Sequence, residues 1–288
     1  MTETLLLLLK VSVSAIIFAI GMDATPADAT YLWRRPALLA RSLLAMYVVV
    51  PLAAWLMVRL LRLPPGVEIA LLVLAVSAGA PLLPKKLLPI GDGTYTFSLV
   101  VTSSLLAIAL VPAWLALLGP QFGSPVDLAP GRVAWLLARG FFLPLVAGMV
   151  VRGRAPAFAN RFAARLIAVA GVALTGGALA LLALHWSVLA AVQLPGVLIL
   201  AALLVIALAT GHALGGPTED DRTTLAIACA TRHLGIALIM AASIPGPRTA
   251  VLMAAYFITA AAVTVPYLKW RRGVGARVPG GPSSLGPR

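Results

Sequence analysis

DDRTTLAIACATRHLGIALIMAAS, residues 220–243, opens on two acids and then runs apolar to its end, except that Thr231-Arg232-His233 stands at its middle. Long apolar-dominated sequence flanks Arg232 on both sides, so its guanidinium has no easy route to an aqueous interface. An ionisable side chain held at such a depth in a bilayer costs at least ~2.5–3.5 kcal/mol, so it usually faces protein or a wet cavity and has a task there. The plainer alternative is a structural arginine bonded to backbone carbonyls of a neighbouring helix.

Composition decides that the surroundings are a membrane. The chain of 288 residues is 61% hydrophobic and only 11% charged, with a mean hydropathy of +1.02. A soluble domain needs about a quarter of its residues charged to cover its core. The net charge of +13 resembles that of a nucleic-acid binder, but its placement argues against one. The cations gather in connectors such as RGRAPAFANRFAAR (152–165) and in KWRRGVGAR (269–277), without an interleaved aromatic face. Lys and Arg concentrate in this way on the cytoplasmic side of membrane proteins. The single cysteine, Cys229, excludes an internal disulfide framework and reads as a small packing residue.

Spans of about 20 apolar residues cross the ~30 Å hydrocarbon layer. Such stretches fall near 3–22, 37–61, 66–90, 94–119, 132–152, 162–185, 188–213, 222–244 and 249–270. The expected fold is therefore an all-α membrane protein of nine transmembrane helices. The runs are too long and unbroken for barrel strands. Residues 3–22 lack the basic start and cleavage site of a signal peptide and read as the first span. Residues 271–288 read as a disordered cytoplasmic tail. Alternation puts Arg34, Arg35, Arg152, Arg154, Arg161, Arg165, Lys269, Arg271 and Arg272 on one side. That side is the cytoplasm of a cell-membrane protein with its N-terminus outside and its C-terminus inside.

A second interruption matches the first. LLPKKLLPIGD (82–92) places Lys85 and Lys86 between prolines inside the third span. Read alone, it is either a cytoplasmic loop or a charge at depth. Its position favours the latter, because the third span is penultimate in spans 1–4 as the eighth is in spans 5–9. Interrupted segments at corresponding places in two halves point to inverted repeats, 1–119 and 132–270, with a midplane site between broken helices. The prolines of span 3 and Gly235 of span 8 permit such breaks.

These residues resemble the bile acid:sodium symporters. FAIGMDATPADATYLWRRP (18–36), RPALLARSLLAMYVVVPLAAWLM (35–57), VEIALLVLAVSAGAP…GD (67–92) and DDRTTLAIACATRHLGIALIMAAS (220–243) follow that family's order and spacing over roughly 10–270. The resemblance implies a ten-helix plan lacking its first helix. Spans 1, 5 and 6 would form a panel, the remaining spans a core, and spans 3 and 8 would be broken helices that cross. It also implies alternating-access transport of small or amphipathic organic anions.

The departures concern sodium, a hard cation that requires oxygen ligands. Ser98 and Thr102, one helical turn apart, match two hydroxyl positions of the family's sodium sites. The other positions have lost their oxygens: a Gln falls on Met46, a small-residue-plus-Asn stretch on Pro84 and Lys85, an acid on Ala228, and two amides on Arg232 and His233. Fixed positive charges replace them and would repel sodium by several kcal/mol at low dielectric. Sodium coupling is therefore not expected. Either Lys85 or Lys86 occupies the cation's space as a tethered ammonium, or Lys and Arg232 bind an organic anion directly, Arg through its bidentate fork. Thr231 belongs to the same candidate site. His233 either carries a coupling proton or is a neutral residue bonded between helices.

Two rivals have weaker support. Thr218-Glu219-Asp220-Asp221 would hold Mg²⁺ in an intramembrane enzyme, but it lacks a second acidic cluster and reads better as the cap of span 8, with Asp220 or Asp221 as N-cap. A non-transporting receptor or scaffold would also show a degenerate ion site. No phosphate loop, nucleophile triad, catalytic residue or resident metal spacing stands out, and no cofactor is expected. The expected partners are an organic anion and membrane lipid. Gly21, Gly148 and Gly176-Gly177 read as close-packing positions, and Trp114, Trp135, Trp186 and Trp270 as interfacial anchors.

Overall fold

A computed structural model describes residues 2–23, 25–61, 63, 65–77, 92–118, 130–232, 237 and 248–275. Among them every regular element is helical. These are α1 (Thr2–Asp23), α2 (Pro26–Ala29), α3 (Pro36–Leu43), α4 (Val50–Leu60), α5 (Pro65–Val76), α6 (Gly93–Leu118), α7 (Pro130–Leu137), α8 (Leu143–Arg154), α9 (Pro156–Leu184), α10 (Trp186–Leu214), α11 (Glu219–Ala230) and α12 (Arg248–Gly275). Among the described residues seven helical stretches are long and apolar enough to cross a membrane. Of the third and eighth expected spans the described residues include the short helices α5 and α11, and most of the rest of the eighth, 233–236 and 238–244, lies outside them. Both α5 and α11 have 12 residues, about 18 Å of helix against ~30 Å of hydrocarbon. The rest of the third span, 78–91, lies outside the described residues.

These half-length helices are also the most enclosed. Every residue of α11 from Thr223 to Ala230 is buried, and so is every residue of α5 from Ala70 to Val76. A helix buried all round sits inside a larger assembly of helices. The long helices supply the enclosure. α10 packs along α11 and α12, α5 against α4 and α12, and α6 against α7 and α11, while α1 packs along α8 and α9.

The α1–α8 crossing is unusually close, as Gly21 and Gly148 predict. A Cβ on Gly148 would collide with Phe18 O and stand 2.9 Å from Met22 N, and a Cβ on Gly21 would stand 3.1 Å from Gly148 Cα. Small residues that let backbones approach are what drives association where lipid competes for apolar contact. Gly176 needs no such explanation, since nothing lies within 4 Å of its added Cβ, whereas Gly177 faces the Leu9 side chain.

One local device appears twice. A π-helical segment, Leu44–Val49, joins α3 to α4, and another, Ala138–Phe142, joins α7 to α8. Each precedes a proline: PLAAWLMVR (51–59) and PLVAGMVVR (144–152) share Pro, Leu, Ala, Val and Arg at the same places. Val50 N donates to Ala45 O and Leu143 N to Ala138 O, five residues back. Proline has no N–H. Pro51 therefore denies a donor to Tyr47 O, four residues back, and to Met46 O, five back. Pro144 does the same to Gly140 and Arg139.

Contacts at the helix ends agree with alternating spans. Thr2 Oγ1 and His185 Nε2 lie 3.0 Å apart, joining the start of α1 to the α9–α10 turn. At the other end Tyr31 OH donates to Asp92 Oδ2 at 2.9 Å, bringing the first connector to the start of α6. Burial, reinforced by that bond to Asp92, pushes the Tyr31 phenol up to about 12. The last helix continues beyond the expected tail boundary at 271, because α12 runs to Gly275 and Arg271 is buried rather than free.

Candidate functional site

The C-terminal end of α11 is built from Thr231, Tyr256 and Arg232. Thr231 N and Thr231 Oγ1 both donate to Ile227 O, at 2.8 and 2.7 Å. Arg232 N and Tyr256 OH both donate to Ala230 O, at 3.0 and 2.7 Å. The carbonyls left open at a helix C-terminus are thus met by a threonine, a turn and a tyrosine from α12. α5 ends in the same way, with Ser77 N and Ser77 Oγ donating to Val73 O at 3.0 and 2.6 Å. Ser77 and Thr231 each stand one residue past a 12-residue helix.

Arg232 is 4% exposed. Its Nη1 donates to Met46 O at 3.1 Å, one of the two carbonyls that Pro51 leaves without a donor. The other, Tyr47 O, accepts from Trp114 Nε1 at 3.0 Å. Neighbouring helices commonly satisfy carbonyls freed by proline in membrane helices. Trp114 is consequently a partner in the helix packing and not the interfacial anchor its position near a span end predicts; Trp135, Trp186 and Trp270 are exposed as anchors should be. Tyr47 OH reaches on to Ser103 O at 2.9 Å, tying the π-helical turn to α6.

The charge balance at Arg232 is one-sided. Among the described residues no carboxylate pairs with it, and its Nε and Nη2 are buried without a hydrogen-bond partner. The Met46 carbonyl, the Tyr256 hydroxyl beside it and the negative end of the α11 dipole, worth ~0.3–2 kcal/mol to a cation, offset the cost of burying this charge.

Of the positions read as lost sodium ligands, Met46 and Ala228 are fully buried, and Ala228 lies one turn before Arg232 on α11. The guanidinium of Arg232 contacts one of them, through the Met46 backbone. Ser98 stands elsewhere in its bonding: its hydroxyl donates to Ala29 O at 3.1 Å and accepts from Leu32 N at 2.9 Å, pinning the first connector. Thr102 Oγ1, one turn along α6, is buried without a partner. Lys85, Lys86, Pro84 and His233 lie outside the described residues.

The acidic cluster acts as a helix start. Thr218, not Asp220 or Asp221, is the N-cap, its Oγ1 accepting from Asp221 N at 3.1 Å. Arg271 draws α12 onto this turn by pairing with the Glu219 carboxylate and donating to Glu219 O at 3.2 Å and Thr223 Oγ1 at 2.9 Å. Among the described residues no group of three His, Cys, Asp or Glu side chains could hold a metal ion.

Some of this framework gave little sign in the sequence. Asp92 caps α6, its Oδ1 accepting from Thr94 N and Tyr95 N at 2.8 and 3.1 Å, while Asp92 N donates to Thr224 Oγ1 at 3.0 Å. One residue therefore links the first connector, α6 and α11. The signal available was an Asp two residues before Thr94 at a helix start; its distant partners had none.

A comparison with curated proteins finds no match to the chain. The family model of the sodium bile acid symporters matches residues 10–192, more than half of the chain. The matched region takes in the close α1–α8 crossing, the π-helical turn with Met46, and α6, and stops before α11 and Arg232. On that match, the chain belongs to the sodium bile acid symporter family.

Proposed function

We propose that the protein is a secondary transporter of small or amphipathic organic anions that works by alternating access and is not coupled to sodium. Membership of a symporter family and seven membrane-length helices support transport. The single observation that carries the finer reading is Arg232, a buried cation with two unpartnered N–H groups, at the C-terminal end of α11.

That placement has two consequences. A guanidinium bonded to Met46 O, one turn from Ala228, opposes a metal cation in the same space: at an effective dielectric near 20 two unit charges 4 Å apart repel by about 4 kcal/mol. Its free Nε–H and Nη2–H point to the complementary partner, a carboxylate or sulfonate that a planar donor fork recognises. The matching ends of α5 and α11 at Ser77 and Thr231 support a pair of inverted repeats with the site between them.

Uptake into proteoliposomes tests the proposal, with radiolabelled monocarboxylates and steroid or bile-acid anions as probes. Uptake of at least one anion, equal with and without a sodium gradient, is the expected result, and Arg232→Met should abolish it. Sodium-stimulated uptake, or a sodium-dependent rise in unfolding temperature, would overturn the sodium-independent reading.

A further inference from the structure

A groove of about 370 Å³ runs between the end of α1 and the start of α9. One wall is Phe18 and Met22, one turn apart on α1; the other is Phe158, Phe162, Arg165 and Val169, a single stripe along α9. Phe158 and Phe162 stack with ring centroids 4.4 Å apart. The groove exists because α9 turns its small residues inward: Ala159 and Ala163 pack against Ala19 and Met22, leaving the aromatic pair standing beside the contact.

Two properties define what would fit. The groove is apolar along its length, and Phe158, Phe162 and Val169 are 48%, 39% and 68% exposed, so its natural filling is hydrocarbon. The charged residue in its lining is Arg165, while Asp23 ends α1 next to Met22. Residues 152–165 contain Arg152, Arg154, Arg161 and Arg165 and no acid. Arg152 is turned to Asn160, while Arg161 and Arg165 are exposed one turn apart on α9. An apolar groove lined by Arg165, with Arg161 exposed one turn away outside its lining, is complementary to an anionic amphiphile.

We propose that this groove holds one anionic glycerophospholipid, an acyl chain lying along Leu166 and Val169 and the phosphate held by Arg165. The site lies on the face of α1 and α9 and is separate from Arg232.

Native mass spectrometry of the full chain in mild detergent tests the site, using phosphatidylglycerol and phosphatidylcholine of identical acyl chains. The wild type should retain one phosphatidylglycerol about fivefold over phosphatidylcholine, the effect of one well-placed cation. Arg165→Gln should bring that ratio close to one, Val169→Trp should lower retention of both lipids, and Arg272→Gln should change neither. Arg165, Val169 and Arg272 are exposed, and an unchanged elution profile and unfolding temperature in phosphatidylcholine would verify that each variant is folded. Equal retention of the two lipids by the wild type overturns the proposal, as does a preference that survives Arg165→Gln. So does an equal thermal shift with glycerol phosphate alone, because the apolar walls would then contribute nothing.

Discussion

Arg232 and Met46, 186 positions apart, meet through a side-chain donor and a backbone acceptor: Nη1 of the arginine lies 3.1 Å from the methionine carbonyl. The bond exists because Pro51 withholds its own N–H from that turn. Replacing Arg232 by Met therefore removes a buried charge and one hydrogen bond together, and the two effects on stability oppose each other. Breaking a bond and stranding its acceptor costs ~1–3 kcal/mol, and relief of the buried charge offsets a comparable amount. Arg232→Met should thus unfold within a few degrees of the wild type while losing anion uptake. Thermal unfolding in detergent, run beside the uptake assay, separates the roles. A large fall in unfolding temperature would make Arg232 a structural strut.

The same turn can be tested from the proline side. Pro51→Ala supplies an N–H that Tyr47 O or Met46 O can accept, which favours closing the π-helical turn into an ordinary α-helix. Arg232 would then compete with the helix backbone for its acceptor. The expected outcome is a helix stabilised by a fraction of a kcal/mol and an uptake rate reduced several-fold. A double-mutant cycle between Pro51→Ala and Arg232→Met should show clear non-additivity, since both act on one carbonyl.

Much of this molecule was legible in its sequence, and the illegible part has a consistent character. The apolar runs marked the long helices because a membrane span requires length and apolarity together, and Arg232 stood out because a charge within such a run is costly. Its partner could not be read, because the acceptor is a backbone atom and the Met46 side chain carries no trace of it. Ser98 shows the limit from the other direction. A serine suited to binding a cation is equally suited to pinning two backbone groups, and its contacts with Ala29 and Leu32 depend on a connector more than sixty residues away. Trp114 was read by its distance from a span end, whereas the carbonyl freed by Pro51 decides where its indole N–H goes.

Tyr256 closes the C-terminal end of α11 by donating to Ala230 O at 2.7 Å. Tyr256→Phe retains the ring and removes one of the two donors to Ala230 O, leaving Arg232 N. Each of Tyr256→Phe and Thr231→Val should cost about 1 kcal/mol, because Arg232 N still serves Ala230 O and Thr231 N still serves Ile227 O. Unfolding temperatures of the two variants check this, and a loss of several kcal/mol in Tyr256→Phe would mean that Arg232 N does not serve Ala230 O.

Arg271 holds the last helix to the first turn of α11 by three interactions with Glu219 and Thr223, so residue 271 belongs to the packed body. Arg271→Ala removes the donor that Thr223 Oγ1 and Glu219 O share, and because the Glu219 carboxylate is exposed it should cost ~1–3 kcal/mol. The exposed neighbour Arg272→Ala should change stability by no more than ~0.5 kcal/mol. Expression level and unfolding temperature of the pair provide the comparison.

The glycines make a sharper contrast, because two that look alike in sequence differ in what surrounds them. An added Cβ at Gly148 meets the backbone of α1 from Phe18 to Met22, which cannot yield without moving the helix. Gly148→Ala should therefore separate α1 from α8, cost more than ~3 kcal/mol and leave little folded protein. Gly176 lies in mid-helix with open space at its Cβ position, so Gly176→Ala should stabilise by ~0.5–1 kcal/mol through the higher helix propensity of alanine. Yield of monodisperse protein and unfolding temperature should move in opposite directions for the two substitutions. A tolerated Gly148→Ala would refute the close α1–α8 crossing.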